Sequence, residues 1–259
     1  MKRITDYADV SSAVSRHFGR TTVTNCFIDR AAYEREISGG TLYISEYDGG
    51  LYILRSRDGF GILSFYFDSP ESFAAPTFPD GMTAVCEVPY RERDAGLRTV
   101  AGLFTADGGF VKRFTRARYS RIGDTTEYEN VHVRVASQAD GRSVYSLLER
   151  SFDRLTGCIP TRDALFGDIA DGHILVYDDG AAAGLLHFAE DRASSEIRHL
   201  AVVENRRGEG IASALVRTYL AKRSGRLRVW AREDYTDAVR VYVRNGYIPD
   251  GMKSDVFVK

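Results

Sequence analysis

Cysteine is scarce in this 259-residue chain. Cys26, Cys86 and Cys158 are odd in number and share no paired metal-ligand spacing, so neither a disulfide framework nor a resident metal is expected, and a reducing compartment is. Long apolar runs are missing too. None reaches membrane-spanning length, and the start, Met1-Lys2-Arg3-Ile4-Thr5-Asp6-Tyr7, lacks the apolar core of a secretion signal, so the expected location is cytoplasmic with no membrane partner. Charge of one sign is not in excess: 35 Lys and Arg stand against 36 Asp and Glu, which provides no broad attraction to nucleic acid. Two nucleotide fingerprints are absent as well. No Gly-x-x-x-x-Gly-Lys-Ser/Thr occurs, and no Gly-x-Gly-x-x-Gly opens a helix with a ribose-binding acid after the next strand. What the chain does have is 44% hydrophobic residues, enough for two modest cores.

The most informative stretch is 196–212, where an extended segment enters a short basic turn with two glycines and then an amphipathic helix. Ile211, Leu215, Val216 and Leu220 fall on one side of that helix at helical spacing. Its first turn leaves backbone N–H groups without internal partners, and Gly208 and Gly210 let a ligand approach the main chain, as a diphosphate requires. Arg206 and Arg207 add positive charge at the mouth. An ordinary strand-to-helix turn would satisfy the same local pattern.

Arg207-Gly208-Glu209-Gly210-Ile211-Ala212 resembles the acetyl-CoA-binding motif of the GCN5-related N-acetyltransferase (GNAT) superfamily, Gln/Arg-x-x-Gly-x-Gly/Ala, and Leu200-Ala201-Val202 resembles the end of that family's fourth strand. Tyr242-Val243-Arg244-Asn245-Gly246-Tyr247 is similar to its terminal Tyr-x-x-x-Gly-Phe signature, with Tyr for Phe and without the customary Asn upstream. Elements read from periodicity over 131–135, 140–152, 173–177, 182–188, 227–231 and 237–244 complete the order β-α-α-β-β-β-α-β-α-β, which is that of the acetyltransferase fold. The resemblance therefore covers 131–259. It implies an acetyl-CoA cosubstrate with its pyrophosphate on the N–H groups of Arg207, Gly208, Glu209, Gly210, Ile211 and Ala212, and its pantetheine arm along Leu200 and Val202.

The front half carries a fainter echo. Gly109-Phe110 and Gly246-Tyr247 lie 137 residues apart, about one repeat, and 40–50 is similar to 172–180. Where the back half has its phosphate turn and helix, the front half has a short segment with Pro70, Pro76 and Pro79, which is ill suited to the same cradle. The expected fold class is α+β: tandem acyl-CoA N-acyltransferase (GNAT) domains, each a mixed central sheet flanked by helices. The expected division is a degenerate copy over 1–125 and a catalytic domain over 131–259, with the boundary in 122–130. The front aromatics, among them Tyr52, Phe65 and Phe67, suit either packing or a cleft wall, and the basic run 112–121 suits a solvated strand or an anion site.

Acetyl transfer from a thioester to an amine needs a base to free the amine of its proton. The resemblance offers Glu196, at the start of the strand leading to the cofactor turn, with Glu190, His187 and His199 as alternatives. Simple alternation puts Ile197, His199 and Ala201 on one face and Glu196, Arg198 and Leu200 on the other, so Glu196 and His199 share a cavity only if a bulge changes the phase. Tyr242 occupies the family position that sets a phenol beside the thioester sulfur. No cysteine is needed as an acyl carrier, which favours direct transfer in a ternary complex. Asp153, Arg154, Thr156, Arg162 and Asp163 fall in the region resembling the family's variable acceptor-facing segment. The expected acceptor is a small amine or amino acid. A homodimer is left open, and the nonenzymatic alternative is an acyl-CoA-binding or regulatory protein on the same fold.

Overall fold

The computed structural model describes residues 1–78, 81–123, 127–180, 182–191 and 194–259. Two compact units emerge, Met1–Arg116 together with Gly251–Lys259, and Ala117–Asp250.

In the first unit the chain runs β1 (Lys2–Arg3), α1 (Tyr7–Arg16), β2 (Val23–Thr24), α2 (Arg30–Ser38), β3 (Leu42–Tyr47), β4 (Gly50–Arg57), β5 (Phe60–Phe67), β6 (Thr83–Arg91) and α3 (Ala95–Ala106), then enters β7 (Val111–Gly123). Asp6 and Asp29 start α1 and α2 by accepting from the amides of Ala8 and Ala32. The strands lie in the order β1-β3-β4-β5-β6, antiparallel except for the parallel pair β5 and β6. One core packs α1 and α2 through Val10, Ala13 and Tyr33 on one face of this sheet. A second packs α3 through Val100 and Phe104 against Phe65, Phe67 and Phe110 on the other. Tyr52, Phe65 and Phe67 are fully buried, and the two phenylalanine rings stack at 4.5 Å, so these front aromatics are core.

The second unit repeats the plan: β8 (Val133–Val135), α4 (Gly141–Ser151), α5 (Arg162–Ala170), β9 (Ile174–Asp178), β10 (Ala182–Glu190), β11 (Ser194–Val202), α6 (Ile211–Ala221), β12 (Gly225–Arg232), α7 (Thr236–Arg244) and the start of β13 (Ile248–Val258). Its strands lie in the order β8-β9-β10-β11-β12, with β11 and β12 parallel. Val144, Leu147 and Leu148 of α4 pack with Leu165 and Ile169 of α5 on one face. The apolar stripe expected on α6, Ile211, Leu215, Val216 and Leu220, packs on the other face with Tyr242 and Tyr247.

The α+β class is that expected from the sequence, but the division of the chain differs from the expected one. Residues 117–123 join the second unit, whose core takes in Ala117 and Tyr119. Residues 251–259 join the first, where 252–258 pair antiparallel with β6 and Phe257 is buried among Phe65, Val88 and Phe104. Alternation along a strand specifies which side is apolar but not which strand edge completes its hydrogen bonds. Of the expected boundary, 124–126 lie outside the described residues.

The basic run 112–121 is largely neutralised by carboxylates within each unit. Lys112 pairs with Asp255 at 2.7 Å and Arg116 with Glu87 at 2.7 Å, while in the second unit Arg118 pairs with Asp250 at 2.7 Å.

Candidate functional site

The site begins where α6 begins. Gly210 caps the helix at φ +85° with no side-chain hydrogen bond, and Gly208 precedes it at φ +87°. Both are in the left-handed region that a β-carbon disfavours. A Cβ built at either position meets nothing within 4 Å, so the space in front of this turn is open. The first intrahelical bond is Ala214 N to Gly210 O, and the amides of 208–213 donate to no described residue. A run of N–H groups left free at a helix N-terminus is what a pyrophosphate needs. The residues present therefore fit the diphosphate of a CoA thioester.

The two arginines at the mouth behave differently. Arg206 is held by Asp179 at 2.9 Å and Glu209 at 2.7 Å, which fixes the loop. Arg207 is exposed and makes no ion pair among the described residues, leaving its charge available to a ligand.

β11 leads to that turn and leaves its parallel neighbour on the way. Its register with β12 runs from Ser194 opposite Arg226 to Ile197 opposite Val229 and then stops, so 198–202, including Leu200 and Val202, have no β12 partner. In the first unit β5 and β6 also stop after four pairs, at Leu63 opposite Cys86. There the gap is filled. β2 pairs with the far end of β5, and Asn25 Nδ2 donates to Glu87 O at 2.8 Å and Leu63 O at 3.3 Å while its Oδ1 accepts from Phe65 N at 2.8 Å. The first unit also has only a three-residue 3-10 turn, Pro70–Ser72, among the described residues between β5 and β6. Pro79, which belongs to that segment, lies outside the described residues.

The phase of β11 departs from simple alternation. His187 faces His199 across the β10–β11 pair, whereas the next residue, Phe188, faces Ile197, so Arg198 is an extra residue in a β-bulge. Ile197 accordingly shares the α6 face with Leu200, and Glu196 shares the α4–α5 face with His199 and Ala201. The bulge thus supplies the change of phase that alternation alone does not give.

Glu196 is partly buried, with its side chain 20% exposed, and its one ion pair among the described residues is to Arg198 at 3.2 Å. That arginine is itself mostly exposed, so the pair holds the carboxylate weakly. The alternative bases are committed elsewhere. Glu190 pairs with Arg223 at 2.6 Å. His187 and His199 are buried and joined Nδ1 to Nδ1 at 3.0 Å; His199 Nε2 donates to Gly157 O at 2.9 Å, and His187 Nε2 lies 3.1 Å from Asp168 Oδ2. With His199 Nε2 protonated toward a carbonyl, its Nδ1 accepts from His187 Nδ1, and the contact between His187 and Asp168 needs one further shared proton. Burial, with Arg198 and His173 nearby, pulls His187 down to about 4, and burial raises Asp168. This chain anchors the loop between α4 and α5 to the sheet. Asp153 organises the same loop, accepting from Thr156 N and Thr156 Oγ1 at 2.9 Å, and Cys158 there is exposed with φ +53°. Arg162 lies over the Tyr145 ring at 4.9 Å and Asp163 sits in the first turn of α5.

Tyr242 is buried on α7, its ring edge-on to Tyr247 at 5.9 Å, and burial pushes its phenol well above the usual range. It therefore remains a neutral O–H donor. Tyr247 has a buried hydroxyl without a hydrogen-bond partner among the described residues. Such a group costs about 1–3 kcal/mol. Tyr247→Phe is expected to leave stability unchanged or to raise it by about 1 kcal/mol, read as the urea midpoint at constant m; a clear loss of stability would mean the hydroxyl has a partner.

These features are those of the GNAT fold: a mixed sheet with a diverging parallel pair and a glycine-capped helix at its opening. Residues 170–249 match the family model of the acetyltransferase (GNAT) domain. Among solved structures, the chain is similar to a GCN5-related N-acetyltransferase from Sphaerobacter thermophilus, with TM-score 0.58 and 16% identity over 82% of this chain and 76% of that one. It is similar over 99% of its length, and 98% of the other's, to a GNAT-family acetyltransferase from Colwellia psychrerythraea, with TM-score 0.57 and 11% identity. A tandem GNAT protein from the clavulanic acid biosynthesis pathway matches over 100% of this chain and 89% of its own, with TM-score 0.54 and 12% identity. No curated protein matches the sequence. Among the described residues no helix is long and apolar enough to cross a membrane, and no group of three or more His, Cys, Asp or Glu could hold a metal ion.

Proposed function

We propose that the chain is an N-acetyltransferase that moves an acetyl group from acetyl-CoA to the primary amine of a small molecule or amino acid, by direct transfer in a ternary complex. The observation that carries this reading is the open N-terminus of α6, begun by Gly210 with no side-chain cap bond and placed at the end of a strand that has left its neighbour. Acetyl-CoA supplies the activated acyl group when bound. The amides of Arg207, Gly208, Glu209, Gly210, Ile211 and Ala212 grip the diphosphate, Arg207 adds charge, and the unpaired edge of β11 at Leu200 and Val202 offers main-chain groups to the pantetheine arm.

Glu196 accepts the proton of the acceptor's ammonium, directly or through water, so that the free amine can form the C–N bond as the C–S bond breaks. Tyr242, kept neutral by burial, donates a proton or a hydrogen bond to the departing sulfur. Tyr242→Phe is expected to lower turnover about tenfold to a hundredfold with acetyl-CoA affinity retained; unchanged turnover removes Tyr242 from the reaction.

One cofactor site per chain is proposed, in the second unit. In the first, Asn25 and β2 occupy the gap that would take the pantetheine, and among the described residues no α-helix stands between β5 and β6 to cradle a diphosphate. This supports reading it as a degenerate copy. Titration calorimetry with acetyl-CoA tests the proposal: a stoichiometry near one is expected, together with thiol release on adding a reactive amine. No heat with acetyl-CoA or free CoA on folded protein would sink the reading, and a stoichiometry near two would sink the degenerate copy.

A further inference from the structure

β12 presents an unusual face on the side of Glu196. Leu227, Val229 and Ala231 point into the α6 core, so Arg226, Arg228, Trp230 and Arg232 share the opposite face. Their charges are not equivalent. Arg232 is paired with Asp234 at 2.6 Å, and Arg226 is exposed. Arg228 is partly buried and makes no ion pair or hydrogen bond with any described residue, and its Nε is buried without a partner. A desolvated guanidinium donor left unpaired costs free energy that a ligand carboxylate returns.

Arg228 also stands directly beside the proposed base. In the parallel register Glu196 and Arg228 are partners, so their side chains leave the sheet as neighbours on one face. They do not pair with each other: the carboxylate of Glu196 turns to Arg198. One strand thus offers an acceptor for an ammonium and the next a donor for a carboxylate. An α-amino acid carries both groups on a single carbon. Trp230, two residues along the same face, adds a partly buried apolar surface, with Arg118 5.5 Å from its ring.

We infer that Arg228 is a substrate-binding residue that holds the carboxylate of an α-amino acid while Glu196 receives the proton from its amine. The inference rests on the acetyltransferase reading above and narrows its acceptor to a carboxylate-bearing amine. The alignment also makes the free α-carboxylate a requirement rather than a preference, since an amide or a decarboxylated analogue leaves the buried Nε of Arg228 unpaired.

The test uses the full chain, acetyl-CoA, and the twenty amino acids, each beside its carboxamide and its decarboxylated amine, with CoA thiol release as the readout. For the best amino acid, the carboxamide and the amine are expected to lose about 30-fold or more in kcat/KM. Arg228→Met is expected to raise the KM for that amino acid by a similar factor, with kcat changed far less, the acetyl-CoA Kd and the melting temperature retained, and the preference over the amine abolished. Arg228→Lys should recover part of the loss, as a charge without the fork geometry. Equal rates for acids and amides, reaction of carboxyl-free amines alone, no reaction with any of the panel, or an unchanged KM in Arg228→Met would each overturn the inference while acetyl-CoA binding is intact. Loss of acetyl-CoA binding in the unaltered chain instead removes the acetyltransferase reading and this inference with it.

Discussion

Gly210→Val is expected to weaken acetyl-CoA binding about 100-fold, the equivalent of losing two charge-assisted hydrogen bonds of about 1.5 kcal/mol each. The loss has two sources. Gly210 sits at φ +85°, where a β-branched residue costs about 1–2 kcal/mol, so the turn relaxes toward another conformation and its amides no longer converge. The new side chain also projects into the open space before the α6 N-terminus, where a Cβ meets nothing within 4 Å beyond its own chain neighbours and where the diphosphate would rest. Calorimetry reads the affinity, and a melting curve separates it from the modest fall in stability. Gly210→Ala isolates the first source, since it shares the backbone strain with a smaller obstruction. Normal affinity in a folded Gly210→Val chain would place the diphosphate elsewhere.

The second large effect belongs to Glu196. Glu196→Gln keeps the shape and the contact to Arg198 but removes the capacity to take a proton, and kcat is expected to fall about 10²–10³-fold. Acetyl-CoA affinity should stay within about threefold, because the residue faces away from α6 and lies before β11 leaves β12. Steady-state rates with saturating acetyl-CoA and the best amine of the panel check this. Raising the pH supplies more free amine from solution, so the variant should recover partially in alkaline buffer. A variant as active as the parent at pH 7 would show that Glu196 is not the base. His199 would not be the natural substitute, since its Nε2 is already spent on Gly157 O and its Nδ1 on His187.

His187, His199 and Asp168 do have a consequence for stability. A histidine whose folded value lies near 4 binds its proton more readily unfolded, so its contribution is lost as pH falls from about 6.5 toward 4. Asp168, raised by burial, acts in the opposite sense and offsets part of that loss. The loop between α4 and α5 is held to these histidines through Gly157 O, so its anchoring shares their dependence on pH.

Much of the local structure of the candidate site was legible because it depends on short-range features. The apolar stripe of α6 and the glycines at 208 and 210 lie within one strand-turn-helix passage, where local geometry follows from residue type. The proline-bearing segment of the front half is similar: three prolines in a short stretch argue against a helix there whatever surrounds it. The role of Asn25 was not legible. A single asparagine in a loop carries no local signal that its amide will bridge two strands some 40 and 60 residues further on.

Residue order alone determined the succession of elements over 131–259, the glycine-capped helix and the tyrosine spacing, because each rests on periodicity or on what one residue allows its own backbone to do. Tertiary structure alone decided that Arg198 bulges and brings Glu196 to the face of His199, that Arg206 is tied down while Arg207 is left available, that Arg228 stands beside Glu196, and that 251–259 complete the sheet of the first unit. Those outcomes are matters of register and partner. They are fixed by which edges and charges meet across long separations in the chain, and a period-two pattern is compatible with many such meetings.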